Sequence, residues 1–350
     1  MCQRETSGTY HFLNDMAIDP KAADMLSRGW YKEKLDPEEC VYLLTFREKS
    51  SEANLAVSLA NRLMHRACSD VGQITANITV SSGPCPGNCG FCEYAEGHYP
   101  GGFFDIDDAV LARYAEEIGG FSDVRNIRLT TCADADISAL CRQVGIVRDH
   151  ARRGTRIFVD TKDLESDDCR RLKEAGAYGA VHSCRIGEGR DTEFKPETRL
   201  RTVRNIVSSG LQAVAGVGPI GPEQDTKEII ESFYTVLDLR CLNAEIYARE
   251  PVPGTRFSQY GKISPARFAQ IKAVLSLASS RYDPPARNAF PGPFVSDQNN
   301  VVVGYDGKTG KERLEAARRR LFNNGFQRIL RTDDSTVELS LMYLRQTGSV

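Results

Sequence analysis

Two apolar spacings alternate along this chain. From Ile74 to Ser81, Ile74, Ala76, Ile78 and Val80 take every second position, and Thr75, Asn77, Thr79 and Ser81 take the others. A period of two is that of a strand with one apolar and one polar face. The spacing then lengthens: Ile106, Ala109, Val110, Tyr114 and Ile118 recur as on one face of a helix opened by Asp105. Strands follow at 126–131, 156–161, 178–183, 212–217 and 241–248, with helices between them at 137–150, 166–175, 196–208 and 225–237, and a further helix at 265–279. Pro196 begins its helix, where the missing N–H costs nothing. A weaker strand near 287–290 is crowded by Pro284, Pro285, Pro291 and Pro293. A strand at 300–306 and a helix at 311–322 end the alternation.

Eight strands with helices between most of them predict an α/β protein, a parallel (βα)8 barrel of the TIM type. The alternative is a six-stranded partial barrel with a C-terminal extension. Residues 1–70 read as a helical prefix with helices near 21–28, 37–46 and 52–66, expected to cap the barrel bottom. The barrel is expected over 71–325 and a tail over 326–350.

Composition changes this picture little. Hydrophobic residues are 41% and charged residues 26% of 350, which is ordinary for a globular chain. The net charge of −2 argues against a nucleic-acid or anionic-membrane partner. No apolar run approaches the ~20 residues that span a bilayer, and the first residues lack a signal-peptide core. A cytoplasmic location is expected. The 11 cysteines are many and odd in number, which favours free thiols and metal ligation over a disulfide framework.

Three of them stand on one Gly/Pro-rich loop directly after the first strand, as Cys85-x3-Cys89-x2-Cys92. In a parallel barrel the chemistry sits on loops at the C-terminal ends of strands. Three thiolates can hold three corners of a [4Fe–4S] cube and leave one iron without a protein ligand, whereas electron-storage clusters use four cysteines. With His98 the same thiolates could instead make a Cys3His zinc site, although zinc ligands usually come as Cys-x2-Cys pairs.

This loop resembles the signature of the radical S-adenosylmethionine (SAM) enzymes. There the open iron chelates SAM, and one electron from the cluster splits it into methionine and a 5′-deoxyadenosyl radical. The resemblance extends over roughly residues 70–310 and is nearest to the group of biotin synthase, the related [FeFe]-hydrogenase maturase and methylornithine synthase; two-protein lipoyl synthases are also similar. Four further stretches carry it: Leu172-Lys173-Glu174-Ala175-Gly176-Ala177, Thr198-Arg199-Leu200, Gly216-Val217-Gly218-Pro219-Ile220-Gly221-Pro222-Glu223, and Pro251-Val252-Pro253-Gly254-Thr255. The resemblance implies a [4Fe–4S] cluster on Cys85, Cys89 and Cys92, with Phe91 beside the adenine. It implies Arg199 on the SAM carboxylate, and the backbone at Gly216, Gly218 and Ile220 along the adenine. The family's Gly-Glu pair for the SAM amino group is absent; Thr131, Cys132 and Asp134 stand in that segment. At the end of strand four, where relatives carry an acid, Arg185 stands and Glu188 is displaced. The implied partners are a small-molecule or carrier-bound substrate and a reduced flavodoxin- or ferredoxin-type electron donor.

Strand parity sorts Asn77, Thr79, Arg128, Thr130, Cys132, Asp160, His182, Cys184, Asn243, Glu245 and Tyr247 into the lumen. Cys132 and Cys184 then become candidates for an auxiliary iron–sulfur cluster, with Arg287 a distant further ligand, and sulfur insertion becomes the leading reaction. Rearrangement or cofactor maturation is the alternative reaction. A non-enzymatic iron–sulfur or zinc protein is the alternative of another class.

Overall fold

The computed structural model of the protein describes residues 18–282, 294–295 and 298–340. The expected strand at 287–290, with Arg287, lies outside the described residues.

Among the described residues, Asp19 and Asp36 cap the first two helices, α1 (Pro20–Trp30) and α2 (Pro37–Leu43), each of which carries proline in its first turn. Ser50 caps α3 (Ser51–Cys68), which delivers the chain to strand β1 (Val71–Thr79). A two-stranded ribbon, β2 (Ser81–Ser82) with β3 (Phe104–Asp105), brackets the cysteine loop. Asp105 thus lies in that ribbon, and Asp107 caps the helix that follows, α4 (Asp108–Gly119). Then come β4 (Val124–Thr130), α5 (Ile137–His150), β5 (Arg156–Asp160), α6 (Ser166–Ala175), β6 (Gly179–Ser183), α7 (Pro196–Ser208), β7 (Gln212–Gly216), α8 (Thr226–Asp238), β8 (Asn243–Glu245) and α9 (Pro265–Ala278). The chain continues through β9 (Asn300–Gly304), α10 (Gly310–Asn323), β10 (Arg328–Leu330) and β11 (Thr336–Glu338).

The strands β1, β4, β5, β6, β7 and β8 stand side by side, all parallel, as consecutive βα units require. Strand β9 pairs in parallel with the free side of β1. Beyond β8 a parallel bridge joins Ala244 to Val295, and the Ala244 N–H donates to the Phe294 carbonyl at 2.8 Å. The chain that leaves β8 at 294–295 therefore reaches β1 by Asn299, whose carbonyl accepts from the Gln73 N–H at 2.6 Å. The sheet is curled into a barrel wall, in agreement with the expected α/β barrel class.

One expectation changes. Residues expected as a tail supply β10, parallel to β1 at Val71–Gly72, and β11 against it. The prefix packs on the outer helices, and its Lys34 shares a cavity with Val207, Leu237 and Ala278 at the C-terminal ends of three of them. There α3 packs on α9, Arg267 donates to the Leu44 carbonyl at 2.7 Å, and the Tyr234 hydroxyl donates to the Leu35 carbonyl at 2.7 Å.

One large apolar core fills the space between sheet and helices. A second, small one, Phe158, Val181, Val214 and Leu242, lies inside the barrel.

Candidate active site

The cysteine loop is held from three sides. Cys85 N–H donates to the Tyr94 carbonyl at 2.6 Å, and the Glu96 N–H donates back to the Cys85 carbonyl at 3.1 Å. Gly90 N–H donates to the Asp191 carbonyl at 2.9 Å, and the Gly90 carbonyl accepts from Phe257 N–H at 2.8 Å. A Cβ on Gly90 would meet Arg256 Nε at 2.8 Å, and one on Gly87 would overlap the Phe194 ring, so a side chain at either position displaces a neighbour. Phe91 lies with its ring centroid 6.3 Å from that of Phe257.

Cys89 is buried, and Cys85 and Cys92 are half-buried. Burial pushes the Cys89 thiol up to about 11, and the Arg185 guanidinium nearby opposes the shift. Burial also raises Cys92, whose Sγ accepts from the Tyr94 N–H at 3.4 Å. The donor set is sulfur only, it lies on one short loop, and a cation stands beside it. That fits an anionic iron–sulfur cluster held by three cysteines. Among the described residues, no three His, Cys, Asp or Glu side chains are grouped as a site for a single metal ion. His98 lies against Gly254 on the loop after β8.

Arg199 projects from α7 and is 4% exposed. Its Nε reaches the Ser183 carbonyl at 3.1 Å and Glu188 at 3.2 Å, and its Nη1 reaches Asp163 at 2.9 Å. Asp163 also meets His182 Nε2 at 3.0 Å. His182 and Arg199 hold the Asp163 carboxyl below its usual range against the opposing effect of burial. The sequence reading missed Asp163, which sits on a loop with no motif of its own; its signal is only that it follows strand β5.

Gly216 and Gly218 end β7 with a bare backbone, and a Cβ on Gly218 would meet the Tyr247 carbonyl at 2.7 Å. The Ile220 side chain is buried in the large core, and its N–H and carbonyl bond to Tyr247 and Arg249 at 2.9 and 2.8 Å. Arg249 is 2% exposed, grips Glu223 with both Nη atoms, and lies 5.1 Å from the Phe257 ring centroid. Arg249 thereby ties the glycine-rich segment to Phe257, whose N–H in turn donates to the cysteine loop at Gly90.

Thr131 Oγ1 bonds Thr161 at 2.8 Å, and Cys132 Sγ bonds Asp134 at 2.8 Å. All of Thr131, Cys132 and Asp134 line a cavity of about 340 Å³ between the β2–β3 ribbon and α5. Cys132 therefore does not face the lumen: the strand ends at Thr130, and alternation does not extrapolate past a strand end. Cys184 does not face it either. It packs in the large core under the helices, where burial raises its thiol to about 12. Strand β6 is one residue out of the expected phase. Val181 points inward to the small apolar core, so His182 and Cys184 point outward.

On the other strands the polar parity holds. Arg128 of β4 and Glu245 of β8 pair across the lumen, with Nη1 3.3 Å from Oε2. Thr130 Oγ1 donates to Asn77 Oδ1 at 2.7 Å. Arg128, Asp160, Ser183, Arg185, Glu245 and Tyr247 surround a chamber of about 370 Å³.

No family model matches the chain. In sequence it is similar to the biotin synthase of Acetivibrio thermocellus, 24% identical over 239 residues, 63% of this chain and 70% of the relative. It is also similar to the biotin synthase of Parvibaculum lavamentivorans, 23% identical over 275 residues, 74% of this chain and 75% of the relative. In fold it is similar to methylornithine synthase (PylB), with a TM-score of 0.72 at 16% identity, covering 89% of this chain and 98% of that one. HydG, a maturase of the [FeFe]-hydrogenase, superposes with a TM-score of 0.71 at 14% identity, covering 92% of this chain and 79% of that one. Signature loop, barrel and matched sequences agree: the chain resembles biotin synthase in sequence, and in fold it resembles methylornithine synthase and the hydrogenase maturase.

Proposed function

We propose that the protein binds a [4Fe–4S] cluster through Cys85, Cys89 and Cys92 and uses it to cleave SAM reductively, drawing hydrogen from an unactivated C–H bond of a small substrate. The observation that carries this is the all-sulfur loop, tied to the barrel mouth and open toward Arg185. When bound, the cluster supplies one electron, taken from a flavodoxin- or ferredoxin-type donor, and an iron free to hold SAM. The chain's own residues position and enclose. Arg199, held from behind by Asp163, pairs with the SAM carboxylate. The backbone at Thr131 and Cys132 receives its amino group, with Asp134 supplying negative charge. Phe91 and the backbone of Gly216 and Gly218 flank the adenine, with Ile220 fixing that segment through its two backbone bonds.

Sulfur insertion from a lumen cluster loses its support, because Cys132 and Cys184 point away from the chamber. Rearrangement or fragmentation of the substrate is the favoured outcome. The test is release of 5′-deoxyadenosine from SAM by the anaerobically reconstituted, reduced protein. Release that persists in Cys89→Ala refutes the proposal.

A further inference from the structure

The loop between β6 and α7 touches two parts of the site at once. On one side it lies against the cysteine loop: the Gly90 N–H donates to the Asp191 carbonyl at 2.9 Å, and the Glu193 N–H donates to the Gly87 carbonyl at 2.8 Å. On the other side it lies against Arg199, whose Nε reaches Glu188 at 3.2 Å. Phe194 belongs to both contacts. A Cβ on Gly87 would overlap Cε2 and Cζ of its ring, so the ring rests on the cysteine loop between Cys85 and Cys89. The Arg199 Cζ lies over the same ring, 4.6 Å from its centroid. That is inside the ~6 Å at which a guanidinium is attracted to an aromatic face. The Phe194 N–H donates to Oγ1 of the buried Thr192 at 3.2 Å, which fixes the backbone that carries the ring.

The other holds on Arg199 act at its edges. Nε meets the Ser183 carbonyl and Glu188, and Nη1 meets Asp163. The N–H bonds of a guanidinium lie in its plane, so these partners resist sliding and leave tilting free. The Phe194 ring resists the tilt. Among the described residues, Nη2 has no hydrogen-bond partner and is the edge left for an anion. We infer that Phe194 is a positioning residue: it sets the Arg199 guanidinium, and with it the Nη2 edge, at a fixed place relative to the cysteine loop. The group that meets the SAM carboxylate and the loop that holds the cluster are then aligned by a single ring. A ring that served packing alone could be replaced by another apolar side chain of similar size. One that holds a cation on its face could not.

This role rests on the proposed pairing of Arg199 with the SAM carboxylate, and the two can fail separately. Phe194→Leu and Phe194→Met keep an apolar side chain and remove the aromatic face. Each is reconstituted anaerobically beside the wild type, and iron per chain is counted. Affinity is read by equilibrium dialysis for SAM and for decarboxylated SAM, which lacks the carboxylate. Both variants are expected to keep the wild-type iron content and to bind SAM about 5- to 10-fold more weakly, the loss of one cation–π contact. Decarboxylated SAM is expected to bind them as it binds the wild type. In an Arg199→Gln background, where the cation is gone, adding Phe194→Leu is expected to change SAM affinity by less than about twofold. Phe194 loses this role if its folded variants bind SAM unchanged, if both ligands weaken equally, or if Phe194→Leu costs as much in the Arg199→Gln background as alone. Loss of iron together with SAM affinity would also overturn it and make the ring a support of the cysteine loop only. A wild type that binds SAM and decarboxylated SAM equally well would instead remove the pairing of Arg199 with the carboxylate, and the role of Phe194 with it.

Discussion

His182 ties the fold to the pH scale. Its side chain is 1% exposed and its Nε2 lies 3.0 Å from Asp163, whose same oxygen receives Arg199 at 2.9 Å. Burial lowers its pKa from 6.5 to about 4; the Arg199 cation adds to this and Asp163 opposes it. An unfolded imidazole takes up its proton near pH 6.5, whereas the folded one stays neutral down to about pH 4. The unfolded state therefore binds more protons in between. Stability is complete above pH 6.5 and is lost as the pH falls. At about 1.4 kcal/mol per unit, the full window is worth about 3 kcal/mol, of which about 2 kcal/mol is lost between pH 7.5 and pH 5. Asp163, whose pKa is lowered, loses its contribution only below its ordinary 3.8 and does not enter this range. The assay is urea unfolding of the wild type and of His182→Gln at both pH values. The wild type is expected to lose about 2 kcal/mol more than the variant on acidification. Equal losses would refute the burial of His182 behind Arg199.

Cys184→Ala removes a core thiol and is expected to lower stability by about 1 kcal/mol while iron per reconstituted chain is retained; loss of iron would return Cys184 to the ligands. Arg249→Gln breaks the grip on Glu223 and the contact with Phe257. It is expected to weaken SAM about 10-fold in equilibrium dialysis and to broaden the cluster's electron paramagnetic resonance signal; unchanged values for both would show that the glycine-rich segment and the cysteine loop are positioned independently.

The legible part of this protein was its periodicity. Helices Ile137–His150, Ser166–Ala175 and Pro196–Ser208 have the bounds their spacing predicts, because caps and prolines mark their ends. Inward parity was readable at Arg128, Asp160 and Glu245, where the lumen is polar. It failed on β6, because the lumen floor is apolar and Val181 there is indistinguishable in sequence from a valine facing helices. It failed at Cys132 because that residue follows the strand. The Arg199–Asp163–His182 cluster brings together a helix, a loop and a strand, and no local spacing records such a meeting. Strands β10 and β11 are three residues each and depend on the edge of β1, not on any pattern of their own.

The central claim is that Cys85, Cys89 and Cys92 hold a cluster with one iron open to SAM. The most direct measurement is electron paramagnetic resonance of the anaerobically reconstituted, dithionite-reduced protein before and after SAM is added. A brown protein with about four irons per chain, whose spectrum changes on addition of SAM, is the predicted result. A colourless protein holding a single zinc, or a cluster spectrum indifferent to SAM, would contradict it.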